Sequence, residues 1–228
     1  MAIDSSEEEQ LQALKQWWDE HGTSVLITVA AVLALLFGAQ RWQASQSSEA
    51  GAAGELYQQI SDLLVANVTR TATEDDLLSA QGVYSQLKQQ HGSSIYTRYA
   101  ALAMAKLNVE QNNLDQAAEE LQWLLDNPSL GLMQEVDEEL LLIARQRLAR
   151  VRLAQGQPQA ALDLLRAVTP GKFVTTYADT EGDALLALGD RDAAIAAFQR
   201  ALAGYDGGNT TLLRLKLQEL GVSMLGTE

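Results

Sequence analysis

The chain has 228 residues, enough for one large domain or two small ones with a hydrophobic core, so neither disorder nor a stapled mini-protein is forced. Its 30 acidic against 16 basic residues give a formal charge of −14, so most of the surface would repel a nucleic-acid backbone or an anionic membrane face. The absence of cysteine excludes disulfides, thiol catalysis and Cys-ligated metal sites without choosing a compartment, and 3 prolines among many Ala, Leu, Gln and Glu point to an all-α chain.

The first predicted element is a short interfacial helix within residues 1–21. Ser5 and Ser6 precede Glu8 and Glu9 at capping-box spacing, and Leu11, Leu14, Trp17 and Trp18 share one helical face. This segment carries Asp4, Glu7, Glu8, Glu9, Asp19 and Glu20 against a single Lys15, whereas a cleaved signal peptide needs a basic start. An uncleaved anchor fits better.

Gly22 to Gln40 is free of formal charge, and Val25 to Phe37 is apolar except for Thr28. At about 1.5 Å per residue a helix of this length spans about 28 Å, close to a bilayer core. The Val, Leu, Ile and Phe residues from 25 to 37 favour insertion by roughly 3 to 5 kcal/mol in sum. Residues 22–42 are therefore expected to form one transmembrane helix, with Trp17, Trp18 and Trp42 at the membrane interfaces. Lys15 and Arg41 balance one another, so charge leaves the orientation open.

Residues 43–54, rich in Gln, Ser, Ala and Gly, read as a linker or a helical extension of the span. From about Glu55 onward the chain reads as short amphipathic helices. Leu56, Ile60, Leu63 and Leu64 form one apolar face, and Leu77, Leu78, Val83, Tyr84 and Leu87 another. Thr73 ahead of Glu74, Asp75 and Asp76 is a helix start, so the acidic triplet reads as a cap and not a metal site.

An internal repeat organises residues 55–228. Asn113-Leu114-Asp115-Gln116-Ala117-Ala118, Gly156-Gln157-Pro158-Gln159-Ala160-Ala161 and Gly189-Asp190-Arg191-Asp192-Ala193-Ala194 each place an Ala-Ala pair after a turn. The pairs recur after 43 and then 33 residues, the second interval being near that of a tetratricopeptide repeat. An extra segment, Ser129 to Glu138, accounts for the longer interval. In the third copy Gly182 and Ala194 let two helices approach, Gly189 permits the turn, and Phe198 is expected to fill the gap against the next helix, with Ala201 beyond it. The second copy keeps Ala149, Gly156, Ala161, Leu165 and Val168. The first reads as degenerate, with Lys106 and Gln122 at positions that are usually small or apolar. Thr211 to Leu220 reads as a cap, with Leu212, Leu213, Leu215, Leu217 and Leu220 available to cover the last pair.

Such a solenoid offers a groove lined by the first helix of each pair. In register with Gly182 and Ala149, outward positions fall at Gln146, Arg150, Asp179 and Asp183, with Glu110 from the first unit. These five are the candidate partner-binding residues. No phosphate loop, G-x-S-x-G elbow or H-E-x-x-H occurs, and adjacent pairs such as Glu119-Glu120 and Glu138-Glu139 diverge on a helix. His21 and His91 each precede glycine and read as helix C-caps. No catalytic residue, cofactor or metal site is expected.

The chain resembles the YfgM family, single-span bacterial inner-membrane proteins with a tetratricopeptide-like domain. The likeness rests on Glu9-Gln10-Leu11-Gln12-Ala13-Leu14-Lys15-Gln16-Trp17-Trp18, Arg41-Trp42, Ala53-Gly54-Glu55-Leu56-Tyr57, Arg147-Leu148-Ala149-Arg150-Val151 and Glu181-Gly182-Asp183-Ala184-Leu185-Leu186-Ala187-Leu188-Gly189-Asp190. His21 before Gly22, and Thr180-Glu181 before Gly182, depart from the family pattern. The resemblance implies a cytoplasmic N-terminus, a periplasmic domain over 55–228 and no enzymatic activity. It also implies an ancillary role beside the SecYEG translocon, with a PpiD-like membrane-anchored chaperone and periplasmic chaperones as partners in protein secretion. The alternative is a tetratricopeptide scaffold for envelope assembly or cell division that does not bind the translocon.

Overall fold

A computed structural model describes residues 4–66, 73–128, 136–205 and 210–222. Among these, nine α-helices and one short 3-10 turn, Gly171–Phe173, make up the ordered elements. The helices are α1 (Asp4–Ala66), α2 (Glu74–Gln90), α3 (Ile95–Glu110), α4 (Leu114–Asp126), α5 (Glu138–Ala154), α6 (Pro158–Arg166), α7 (Val174–Ala187), α8 (Arg191–Ala203) and α9 (Thr211–Glu219). The chain divides into two compact units, residues 1–51 and 52–228.

In the first unit, α1 already includes Ser5 and Ser6, so these serines lie in its first turn and not ahead of it. The face assigned to Leu11 and Leu14, and the side chain of Trp42, lie outside the described residues. Nor is His21 a helix end, because α1 runs on through Gly22. The His21 ring instead stacks on Trp17 with centroids 5.6 Å apart, and Gly22 is covered by Trp18, whose ring would meet a Cβ there at 3.2 Å. The unbroken span expected over 22–42 is a bent pair, Lys15–Thr23 and Leu26–Gly38, 47° apart. Together they have the length and hydropathy to cross a membrane, and no single straight helix among the described residues does. The break lies between Thr23 and Leu26, where Gly22 and Ser24 stand close together, a composition at which helices kink. Leu26, Ile27, Leu35, Leu36 and Phe37 are all exposed, Leu35 by 73%, as for a helix that is apolar on every side. Residues 43–54 are helical, continuing α1 into the second unit.

The second unit begins within α1, where Ala53 and Ile60 are fully buried and Leu56, Tyr57 and Leu63 partly so; the side chain of Leu64 is outside the described residues. Thr73 starts α2 with a complete capping box. The Thr73 hydroxyl accepts from the Asp76 amide, and the Asp76 carboxylate accepts from the Thr73 amide at 2.8 Å. The buried face of α2 is Leu77, Ala80, Tyr84 and Leu87. Leu78, expected on that face, is exposed because it sits about 100° away from Leu77.

Three helix pairs follow, α3/α4, α5/α6 and α7/α8, with α9 against α8. Two clusters share the core, one joining α1 to α5 and the other α5 to α9. Both are rich in alanine, including Ala101, Ala105, Ala118, Ala149, Ala161 and Ala194, so backbones approach closely and each pair packs tightly. Most of the segment Ser129 to Glu138 lies outside the described residues. Helix α9 covers the last pair with Leu213 and Leu217 buried and Leu220 packed beside them, whereas Leu212 and Leu215 face outward, Leu212 by 64%. A nine-residue helix has only one side to give to its neighbour, so those two leucines do not cap.

The turns decide the register. Each pair turns through a residue with positive φ, Asn112 (58°), Gly156 (73°) and Gly189 (83°). Aligning these turns places the second helices, starting at Leu114, Pro158 and Arg191, 44 and 33 residues apart. The left-handed residue of the first unit is thus Asn112, one position before the asparagine that sequence comparison matched to Gly156. On this register Ala105 and Leu121, both buried, occupy the positions equivalent to Gly182 and Phe198. The first unit is therefore a complete copy, and Lys106 and Gln122 are not at its small and apolar positions.

Candidate functional site

The corrected register defines the face presented by the first helices. Lys106 on α3, Arg150 on α5 and Asp183 on α7 are equivalent, as are Leu102, Gln146 and Asp179, and then Val109, Leu153 and Leu186. The predicted residues Gln146, Arg150, Asp179 and Asp183 fall on these rows. Glu110 lies one residue beyond the row of Val109 and pairs with Lys106, one turn earlier, at 3.3 Å.

These residues divide into two groups. Toward the C-terminal end, Lys216 of α9 reaches both Asp179, at 2.8 Å, and Asp183, at 2.7 Å, while its ammonium lies 5.0 Å from the centre of the Phe198 ring. Asp179 and Asp183 are thereby bound within the fold. Gln146 is also used internally, its side-chain amide donating to the Thr180 hydroxyl at 2.8 Å. Thr180 is fully buried and in turn donates to the Thr176 carbonyl at 2.9 Å. Glu181, the other departure from the family pattern, joins two second helices, bonding Arg166 of α6 at 2.8 Å and Arg200 of α8 at 2.5 Å.

Burial pushes the Asp183 carboxyl above the ordinary carboxylate value, against the opposing effect of its bond to Lys216. A carboxyl whose pKa rises on folding costs stability while ionised, and that cost disappears as the pH falls through the folded and then the unfolded value. Asp183→Asn is therefore expected to raise the unfolding midpoint at pH 7, with Lys216 still held by Asp179. The gain over the parent should shrink as the pH is lowered toward the ordinary carboxylate value, as thermal melts at several pH values would read.

Toward the N-terminal end, Arg150 and Glu110 line a cleft of about 380 Å³ between α3 and α5, closed by residues of α4. Its walls are Ala105, Val109, Leu114, Leu121, Val151 and Ala154, with Lys106 and Arg147 at the polar margin. Lys106, Val109, Arg147 and Lys216 were missed by sequence reasoning. The first two follow once the turn at Asn112 sets the register; Lys216 has no local signal, since its partners lie more than thirty residues away. Trp17 and Trp18 belong to the first unit, where both are about half exposed beside the apolar stretch. No cluster of three or more His, Asp or Glu side chains with metal-binding geometry occurs among the described residues.

A family model described as "Tetratricopeptide repeat-like domain" matches residues 15–222. A protein of Escherichia coli strain K12 named "Ancillary SecYEG translocon subunit" is 26% identical over 223 residues, 97% of this chain and 100% of its own length. Proteins of the same name from Haemophilus influenzae and Neisseria gonorrhoeae are 27% and 28% identical, each over 96% of this chain and all of their own length. No solved structure matches the chain significantly.

Proposed function

Starting from a chain that belongs to the tetratricopeptide repeat-like family, we propose a non-catalytic scaffold of the bacterial inner membrane that serves as an ancillary subunit of the SecYEG translocon. The observation that carries this reading is the likeness, over the whole length of each relative, to proteins bearing that name. A shared helical repeat alone would say only that partners are bound, because such repeats serve many scaffolds.

In this reading residues 1–21 are cytoplasmic, the apolar stretch within 22–42 crosses the membrane, residues 43–54 connect, and residues 55–228 form the periplasmic repeat domain. The exposure of Leu35 and Phe37, 73% and 67%, supports the crossing, since a helix in water would have to hide them. Trp17, Trp18 and Trp42 then stand at the two interfaces. The acidity of the repeat domain discourages adsorption to anionic lipid and leaves its surface open to protein partners. Those partners include a PpiD-like membrane-anchored chaperone and periplasmic chaperones, to which emerging secreted or outer-membrane proteins are passed.

Co-purification of the full chain in mild detergent, with crosslinking before lysis, tests the assignment. Recovery of SecYEG is expected, and its absence while other envelope complexes are recovered would overturn the translocon reading. A reporter active only in the cytoplasm, fused after Glu228, is expected to be silent.

A further inference from the structure

We propose that the cleft between α3 and α5 is a docking site for a peptide segment of a partner protein in which apolar side chains alternate with carboxylates, an inference that rests on the scaffold reading above. Two features specify this chemistry. The cleft floor is apolar, and Val109 at its mouth is 44% exposed although it belongs to the row of residues that a peptide on this face would touch. A volume of about 380 Å³ accommodates one or two side chains and not a folded domain.

The margin supplies the second feature. Lys106, Arg147 and Arg150 stand there against one anion, Glu110, in a chain whose acidic residues outnumber its basic ones by nearly two to one. Glu110 is already engaged by Lys106. Arg98, Arg152, Arg166, Arg191, Arg200 and Arg214 each make hydrogen bonds within the fold. Among the described arginines, Arg41, Arg145, Arg147 and Arg150 make no such bond and no ion pair, and of these only Arg147 and Arg150 line the cleft; Arg150 feels Asp183 from α7. Two guanidinium groups with their forks uncommitted, beside an apolar hollow, suit a carboxylate that arrives with a hydrophobic neighbour. The acidic C-terminal rows, whose Asp179 and Asp183 are neutralised only in part by Lys216, repel the same segment and direct it to the α3 end.

The test uses the full chain in mild detergent and fluorescence anisotropy of two labelled peptides, one alternating leucine with glutamate and one alternating leucine with glutamine. The glutamate peptide is expected to bind about tenfold more tightly at low salt, with the advantage falling as salt is raised. Arg147→Gln should remove most of that advantage, Glu110→Gln should increase it, and Val109→Asp should weaken both peptides. Equal binding of the two peptides by the unaltered chain, or an advantage that survives Arg147→Gln, overturns the proposal. If SecYEG is recovered while the peptides are not distinguished, the cleft proposal alone fails. If the peptides are distinguished and SecYEG is not recovered, the docking chemistry stands and the translocon reading fails.

Discussion

Gly182→Ala is expected to destabilise the repeat domain by about 2 kcal/mol, and Phe198→Leu is expected to cancel most of that loss in the double variant. A Cβ at Gly182 would lie 2.4 Å from one ring carbon of Phe198 and within 2.9 Å of two more. The ring cannot swing away, because Phe198 on α8 is fully buried, with Gly182 of α7 on one side and Leu213 and Leu217 of α9 in the same cluster. Overpacking of this kind costs roughly 1 to 3 kcal/mol, and at such distances the upper end outweighs the roughly 1 kcal/mol of helix propensity that alanine brings.

The other two units explain the rescue. They place Ala105 with Leu121 and Ala149 with Leu165, so each spends on the first helix the volume that the third unit spends on the ring. Gly182→Ala with Phe198→Leu recreates that division of volume. Denaturant melts of the two single variants and the double should give a coupling of at least about 1 kcal/mol. Additive losses would show that Gly182 is not held small by the ring. The ring serves both neighbours, meeting Gly182 on α7 of its own pair and lying beneath Lys216 of the next helix, α9.

Replacing Arg98 with methionine is expected to cost about 3 kcal/mol or more. Arg98 is 2% exposed and sits on α3. Its Nε and Nη2 donate to the Asn127 carbonyl at 3.1 and 2.8 Å, and Nη1 donates to the carbonyls of Ser94 at 3.0 Å and Gly92 at 3.4 Å. One side chain thus satisfies the turn between α2 and α3 and the C-terminal end of α4. Methionine fills a similar volume but donates nothing, so these carbonyls lose their donor at about 1 to 3 kcal/mol each where water cannot reach them. Lysine keeps the charge but not the planar fork, so Arg98→Lys is expected to recover only part of the loss. A melt of Arg98→Met within about 1 kcal/mol of the parent would show that water replaces the guanidinium.

How far the residues alone carried the reading depended on the range of the interaction. The helix start at Thr73, the glycine turns at 156 and 189, and the apolar stretch after Gly22 are local, set by a few neighbouring residues and backbone sterics. They were legible for that reason. The register of the first repeat was misread by one position because two asparagines adjoin, and either could take the left-handed turn. Only the packed helices select Asn112, which puts Ala105 and Leu121 into the core. One residue turns a helical position by about 100°, so that choice exchanged Lys106 from the core to the margin of a cleft.

The candidate site shows the same division. Sequence spacing located the outward rows of α5 and α7 and so named Gln146, Arg150, Asp179 and Asp183. Which of them remain available was a matter of tertiary structure. Lys216 arrives from α9 to hold both aspartates, and Thr180 takes Gln146, leaving Arg150 beside Arg147 and Val109. Composition and periodicity by themselves determined an acidic, all-helical repeat chain with one apolar segment near its start, because helix propensity, charge and apolar length are properties of short stretches. Partner-facing chemistry was decided by the fold, since an ion pair across thirty residues costs nothing to conceal in a linear pattern and becomes visible only when the helices are side by side.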